Sequence, residues 1–499
     1  MRVCGTVAER ELERQLSAIR PELTDTYLTS LPGARAAALA RLWRGLVHEP
    51  LPWVAGRTSG RDGVTLRLAD GRQLHGPASD PWATGTAIAS LELDGRPYEH
   101  PARLVTALAV PGGQRFSAEL DHSTASLALS RTAPAPPEPP AAPWEWEQRS
   151  PDGHPYHPTC RSRPGFSAAE QLAYAPEHRP VVTLRLAPVS GATVRGPWPA
   201  ELRDGHLTLI PVHPWQAEHT LDGRTLLPGP AAHPLLSLRT LDLGQNLHVK
   251  TALSTQLTSA VRDISAYSVE NAVITSEVAE AVAGRLGGRL HLTRTLSAAG
   301  ADTPDLAAVL RESPYGYAGT GEQVVPVAEL PAHFAPLPHS ERRNRIIEFA
   351  HLALGVCLDL LDLGVALEAH GQNLLAVLDR EGRARRLVYR DLADIRISPA
   401  RLARHGFPPP PLTGRLLNDE PAVLRRKVFS CLVTGALGPL AGSAQALGTI
   451  LQTATRDLPR TPDLRALMTE RLPAKALTLK QLDPKSEQWA LLPNPALLG

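Results

Sequence analysis

Between Thr132 and Pro143 the chain contains little but proline and alanine, with Glu138 the one charged residue. Each proline fixes φ near about −65° and lacks a backbone N–H, so neither a helix nor a sheet strand can pass through such a run. It reads as a loop or linker and places a boundary near residue 145. The 499 residues are also too many for one hydrophobic core, and a chain of this length divides into roughly two to four domains. The expected units are 1–145, 146–335 and 336–499.

Periodicity gives an α+β fold. In the first unit, residues 7–19 and 34–47 repeat with helical spacing. Residues 64–68 and 89–93 alternate as strands do, with Asp-Gly turns after them at Asp70-Gly71 and Asp94-Gly95. The second unit shows strand patterns over 181–186, 207–211 and 247–253, then helical patterns over 255–264 and 271–286. The third is mostly helical. Its longest expected helix, the longest in the chain, spans 341–363, a strand pair follows at 373–378 and 386–389, and helices over 421–437, 442–455 and 464–470 complete it. The four prolines 408–411 read as a surface connection, and no internal repeat is visible.

The formal net charge is +2 with no block of like charge, so nothing points to nucleic acid or an anionic membrane as partner. No apolar run approaches the roughly 18–20 residues of a membrane span, so no transmembrane helix is expected. Residues 1–20 carry Glu9, Arg10, Glu11, Glu13 and Arg14 where a signal peptide needs an apolar stretch, and the expected compartment is the cytoplasm. Cys4, Cys160, Cys357 and Cys431 lie far apart, as expected of reduced thiols and not of a disulfide or zinc framework. Of the 52 basic residues only Lys250, Lys427, Lys475, Lys480 and Lys485 are lysines, which marks each of them as a position to examine.

The richest chemistry lies in Glu368-Ala369-His370-Gly371-Gln372-Asn373 and in Arg390-Asp391, which follows a strand-like stretch at 387–389. A hairpin can fold these segments together, joining two carboxylates, an imidazole and two amides in a set suited to holding a divalent metal against phosphate oxygens. Taken alone, the first run is equally consistent with capping and turn chemistry. Gly153-His154-Pro155-Tyr156-His157-Pro158 runs on through Arg161, Arg163 and Gly165. Its two histidines are each followed by proline, which forbids the helix that would set both on one face and argues against zinc. A stiffened turn ahead of two arginines suits contacts to phosphate, although a structural turn with solvated arginines uses the same residues. A third cluster comprises Ser237-Leu238-Arg239-Thr240, Lys250, Thr258-Ser259 and Arg262. With 247–253 a strand and 255–264 a helix, Thr258 and Arg262 share a face at i,i+4 beside Lys250. Three cations and several hydroxyls then converge as a triphosphate and an acidic substrate require. The chain has no G-x-x-x-x-G-K-[ST] loop and no convincing G-x-G-x-x-G, so any nucleotide is held in another way.

Taken in order, with His213-Pro214-Trp215-Gln216 among them, these motifs resemble the NRPS-independent siderophore synthetases, the IucA/IucC family. The resemblance covers residues 145–499 and ends in Leu472-Pro473-Ala474-Lys475-Ala476-Leu477 and Asn494-Pro495. It implies a cupped hand of thumb (1–145), fingers (146–335) and palm (336–499), with antiparallel sheets and a largely helical palm. It also implies an enzyme using ATP and Mg²⁺ that adenylates one carboxylate of citrate or a related acid. The acyl group then passes to an amine or hydroxyl, with AMP and pyrophosphate released. The implied partners are small molecules, and a homodimer is the family expectation.

Residue by residue, the resemblance implies ATP contacts from His157, Arg161, Arg163, Ser237, Arg239, Lys250, Arg262, Gln372 and Asn373. It implies that Thr258, Arg262, His370 and Lys475 hold the acid, that Glu368, Gln372 and Asp391 lie on the magnesium side, and that His370, Arg262 and Lys250 carry catalysis. Such clustering is sensible because adenylation sets two anions against each other, and cations must offset their repulsion. The chain departs from the family in having Arg161 where lysine is usual, Leu479-Lys480 where an arginine follows the terminal lysine, and an N-terminal third with little to match. A kinase-like phosphotransferase is an alternative, since it also uses an Asn and a strand-end Asp for metal, but its glycine-rich loop and early strand lysine are missing. A non-catalytic nucleotide-binding homologue is the other alternative; it would have lost charged anchors that are present or conservatively replaced here.

Overall fold

The computed structural model describes residues 5–134, 136, 139–258, 260–485 and 489–498. Cys4, Ser259 and three positions of the proline–alanine run lie outside the described residues.

The first helix, Val7–Ile19, begins at a reciprocal cap. The Thr6 hydroxyl accepts from the Glu9 N–H, and the Glu9 carboxylate accepts from the Thr6 N–H. The second, Thr24–His48, is longer than the 34–47 expected because it runs through Pro32, at the loss of one backbone hydrogen bond. Its Leu39, Leu42, Trp43 and Leu46 pack on a five-stranded antiparallel meander, Val54–Gly60, Gly63–Leu68, Gln73–Gly76, Leu91–Leu93 and Arg96–Tyr98. Asp94 and Gly95 both have positive φ, as the two-residue turn between the last two strands requires. Helices Pro101–Leu108 and Gly113–Ser130 complete the layer. Ala476 and Leu479, from the far end of the chain, finish this core, and the buried Glu49 carboxylate accepts from the Thr478 and Leu479 N–H groups.

The middle of the chain builds a nine-stranded antiparallel sheet. Its order is Thr193–Arg195, Thr295–Gly300, Ala307–Glu312, Leu247–Thr251, Thr240–Asp242, Leu227–Pro234, Val182–Val189, Leu207–Val212 and Arg203–Asp204. Helix Ala266–Ala283 packs against one edge, beginning five residues before the expected 271–286. The helix expected over 255–264 is instead a hairpin of Leu253–Leu257 and Ala260–Arg262. Leu253, Thr255 and Leu257 alternate inward, a period of two that a helix cannot satisfy, and Thr258 turns the chain with φ 62°. Thr258 and Arg262 therefore share no helix face. Arg262 lies opposite Leu253 across the hairpin and donates to the Leu257 carbonyl at 3.0 Å.

The C-terminal part has the largest core, built on helix His339–Leu363. That helix and Thr24–His48 are both 25 residues long, so neither exceeds the other. A four-stranded sheet, ordered Leu290–Leu292, Ala384–Tyr389, Leu374–Leu378 and Gln323–Pro326, holds the expected strand pair at its centre. Its first two strands pair parallel, and its other pairings are antiparallel. The helix expected over 421–437 is α-helical only over Pro421–Val428 and widens into a π-helical turn at Phe429–Leu437. Trp146, Glu147 and Gln148, beside the expected boundary, are buried in a 3-10 turn, Pro143–Gln148.

Candidate active site

The run 368–373 is a tight turn leading into the fully buried strand Leu374–Leu378. The Glu368 carbonyl accepts from the His370 N–H at 2.9 Å, and the His370 carbonyl accepts from the N–H groups of Asn373 and Leu374 at 3.0 Å. The Asn373 side-chain amide closes the turn by donating to the Glu368 carbonyl at 3.4 Å. Tyr389 fastens this turn to the next strand end. Its hydroxyl accepts from the Glu368 N–H at 3.2 Å and donates to the Asp391 carbonyl at 3.1 Å. Asp391 itself sits at φ 71°, a left-handed conformation that costs a non-glycine residue about 1–2 kcal/mol and that its surroundings must hold.

Opposite stands the nine-stranded sheet. Lys250 Nζ donates to both Asp391 carboxylate oxygens, at 2.8 and 2.7 Å, and Arg311 Nη1 lies 3.9 Å away. Burial alone would push this carboxyl up, but Lys250, Arg311 and Arg239 outweigh it and hold Asp391 far below the usual carboxylate range. Burial, with Arg239 and Arg311 adding to it, lowers the Lys250 ammonium to about 8 despite Asp391. Arg239 is pushed down to about 10 by burial and by Arg262; its Nη1 donates to the carbonyls of Arg262 and of Asp263. Arg262 feels the carboxylates of both Asp391 and Glu368. The Ser237 hydroxyl accepts from the Thr240 N–H at 3.1 Å, which shapes the loop that carries Arg239.

Three histidines share one local device. His154, His157 and His370 each accept at Nδ1 from the backbone N–H two residues on, that of Tyr156, Thr159 and Gln372. In the HP pairs, proline has no N–H, so the next one is the nearest to cap. This bond assigns the proton of each neutral ring to Nε2 and removes Nδ1 from metal chemistry. Burial lowers His157 well below the ordinary range, and burial together with Lys475 lowers His370 against the pull of Glu368 and Asp391, whereas His154 is exposed. The His157 and His370 rings are therefore neutral donors within a cationic surround.

Glu368 is paired with Lys475 at 2.9 Å and lies 3.6 Å from Lys427, which holds Asp394 at 2.8 Å. Thr258 is clamped at its backbone. Its N–H donates to the Ser162 carbonyl at 3.4 Å, and its carbonyl accepts from the Gln481 amide at 3.3 Å, while that amide lies 3.5 Å from His157 Nε2. The N-terminal layer reaches in as well. Arg41 donates to the Pro155 and Asp152 carbonyls, and the Arg44 guanidinium lies 4.1 Å from the Tyr156 ring centroid.

Arg161 and Arg163 are placed elsewhere. Both are buried against Glu177: Arg163 Nη2 lies 2.8 Å from its carboxylate and Arg161 Nη1 3.8 Å. Arg161 also donates to the Pro151 carbonyl at 2.8 Å and to that of Ser150. These guanidiniums brace the base of the turn. Gln372 contributes its backbone, the N–H to His370 and the carbonyl to Arg390.

Among the described residues, Glu368 and Asp391 join no third Asp, Glu, His or Cys in a compact cage. The one such group is Glu170, Glu218 and His219, at the solvent edge of other elements. Two carboxylates on neighbouring strand ends of one sheet, each charge-paired to lysine, do not fit an all-protein calcium or zinc site. They do fit magnesium, which takes one or two carboxylates with phosphate oxygens and water. Arg311 and Lys427 are site residues that sequence reasoning misses. The scarcity of lysine is a signal for Lys427; nothing distinguishes Arg311 among the other arginines.

A family model described as the IucA / IucC family matches residues 142–332, and one described as ferric iron reductase FhuF-like transporter matches residues 347–482. The citryl-spermidine/3,4-dihydroxybenzoyl-citryl-spermidine:spermidine ligase of Bacillus anthracis is 26% identical over 309 residues, which is 50% of this chain and 50% of that protein. The chain thus spans about half the length of that curated relative. In three dimensions it is similar to the petrobactin biosynthesis protein AsbB of B. anthracis str. Sterne, with TM-score 0.77, 20% identity, and 99% of this chain and 98% of that one covered. It is also similar to ATP-bound aerobactin synthetase IucA from Klebsiella pneumoniae, with TM-score 0.66, 18% identity, and 92% and 99% covered. The motifs from Gly153 to Arg262 lie in the stretch that matches the IucA / IucC family model, and the fold in which they meet Glu368 and Asp391 is similar to those of solved siderophore synthetases.

Proposed function

We propose that the protein is an ATP-dependent ligase of siderophore biosynthesis. It adenylates one carboxylate of citrate or a related polycarboxylic acid and condenses the acyl group with an amine or hydroxyl, releasing AMP and pyrophosphate. The observation that carries this reading is the set of Lys250, Arg239 and Arg262, each partly buried, and buried Arg311, gathered around one carboxylate, Asp391, within reach of neutral His370. Such an excess of desolvated positive charge is costly unless anions enter, and adenylation brings a triphosphate and a carboxylate together. Ligase and synthetase are also the activities for which the B. anthracis relative and the K. pneumoniae neighbour are named.

Lys250, Arg239 and Arg262 neutralise phosphate oxygens, with His157 Nε2–H and the Ser237 loop as further donors. Thr258, Arg262, His370 and Lys475 face the acid. Magnesium, when bound, would be held by Asp391 and Glu368 and would supply charge neutralisation between phosphate oxygens. With its proton at Nε2, neutral His370 donates to the carboxylate and to the oxyanion formed as the amine adds; it is not poised to accept the amine proton at that atom.

Incubation with ATP, Mg²⁺, hydroxylamine and citrate tests the proposal. Hydroxamate and pyrophosphate are the expected products. Release of ADP, or no product with any polycarboxylate, would overturn it.

A further inference from the structure

The catalytic reading leaves Glu147 without a role, although it is the most completely enclosed carboxylate near the site. Its side chain is 0% exposed. Arg390 Nη1 and Nη2 each donate to one of its oxygens at 2.6 Å, the Tyr315 hydroxyl donates to it at 2.5 Å, and the Leu236 N–H at 3.2 Å. Arg390 is the residue before Asp391, and its Nε and Nη2 also donate to the Gln372 carbonyl at 3.2 and 2.9 Å. Leu236 is the residue before Ser237, at the head of the loop that carries Arg239. The next side chain, Gln148, donates to the Pro234 carbonyl at 2.9 Å on the strand entering that loop.

We infer that Glu147 is a positioning residue: a buried clasp from the turn after the proline–alanine run that sets the distance between the Ser237–Arg239 loop and the Arg390–Asp391 turn. Both halves of the nucleotide site are fastened to one carboxylate. Lys250 meets Asp391 only when the two sheets are in register, and an ion pair with two parallel bonds fixes direction as well as distance. The left-handed backbone of Asp391 needs such outside support. Glu147 touches no substrate in this arrangement and acts through Arg390 and Leu236.

The inference rests on the nucleotide site proposed above, so its test separates the two. Wild type, Glu147→Gln and Glu147→Asp, each as the full chain, are compared for steady-state kinetics and for equilibrium binding of an ATP analogue that does not transfer AMP. Loss of supporting residues of this kind costs about 10- to 100-fold. Glu147→Gln should raise the KM for ATP and the analogue Kd by about that factor while moving the KM for the acid by less than about twofold. Glu147→Asp should fall between it and the wild type.

A merely structural role would lower the active fraction, with kcat falling and both KM values unchanged, and that result overturns the inference. If Glu147→Gln fails to fold, Tyr315→Phe removes one bond and leaves the ion pair; a rise of about threefold in analogue Kd is expected, and an unchanged Kd overturns the clasp. Should the wild type bind the analogue but make no product, and Glu147→Gln bind it more weakly, the ligase reading fails and the clasp stands. A wild type that binds no ATP overturns both.

Discussion

Replacing Lys250 with methionine removes an ammonium and keeps a stem of similar length. Two hydrogen bonds to Asp391, at 2.8 and 2.7 Å, are lost, and Arg311 at 3.9 Å stays as the carboxylate's ion-pair partner. Breaking a fully buried pair costs about 3–5 kcal/mol. The Asp391 side chain keeps 28% exposure and Arg311 persists, so a loss of about 2 kcal/mol is expected for Lys250→Met. Asp391→Asn should cost a similar amount, because it leaves Lys250 buried without its anion. The double variant removes both charges and should recover about 1–2 kcal/mol of the summed loss. Activity should behave differently. Each single variant should lower kcat/KM by about 10²–10³-fold, as losing one preorganised charge at a reacting centre does, and the double variant should recover none of it. Urea unfolding followed by tryptophan fluorescence reads the first quantity and pyrophosphate release the second. Recovery of activity along with stability would refute the reasoning, since the pair would then be structural. So would a single variant within about threefold of wild type.

In Gly435→Ala the new methyl would lie 3.1 Å from His370 Cβ, beside the π-helical turn. A displacement of a few tenths of an ångström should lower kcat about tenfold with the circular dichroism spectrum unchanged, and a wild-type kcat would show that the ring's position is not critical. Burial pushes the His213 ring down to about 3, so the unfolded chain takes up its proton near about pH 6.5 while the fold does not. Its contribution is complete above that pH and is lost as pH falls toward 3. His213→Asn keeps an acceptor for the Trp215 N–H and should flatten the fall in urea midpoint between about pH 6.5 and 5, and an unchanged slope would count against this origin. Arg161→Lys should lower stability by about 1 kcal/mol through weaker bracing of Glu177, while the KM for ATP stays within about twofold; a larger rise would assign Arg161 to phosphate.

Parts of the site are legible in the amino-acid order. The strand pair around 373–389 is readable because Leu374–Leu378 is wholly apolar and the polar residues that follow turn the chain. The GHPYHP histidines read as poor zinc ligands because the prolines after them forbid a helix with both on one face; in the fold their Nδ1 atoms accept from the Tyr156 and Thr159 N–H groups. The segment 255–264 reads wrongly as a helix because Leu257, Ala260, Val261 and Ile264 recur with helical spacing, while the inward alternation of Leu253, Thr255 and Leu257 passes through a polar residue. Burial on the hairpin and the left-handed turn at Thr258 decide between them. The pairing of Arg161 and Arg163 with Glu177 is not legible, because Glu177 stands in a separate motif with no mark of its own.

What the amino-acid order determined by itself is local: the caps, the turns, the tautomers of three histidines, and the family that the motifs resemble. These depend on atoms two to four residues apart, which any compact conformation brings together. The tertiary structure alone decided which cation meets which anion. Lys250 and Asp391 are separated by 141 residues, Glu147 and Arg390 by 243, and Lys475 and Glu368 by 107. No periodicity reaches that far. Those pairings follow from the order of strands in two sheets and from the return of the chain's end onto the first helical layer, where burial removes water and makes each charge depend on its partner.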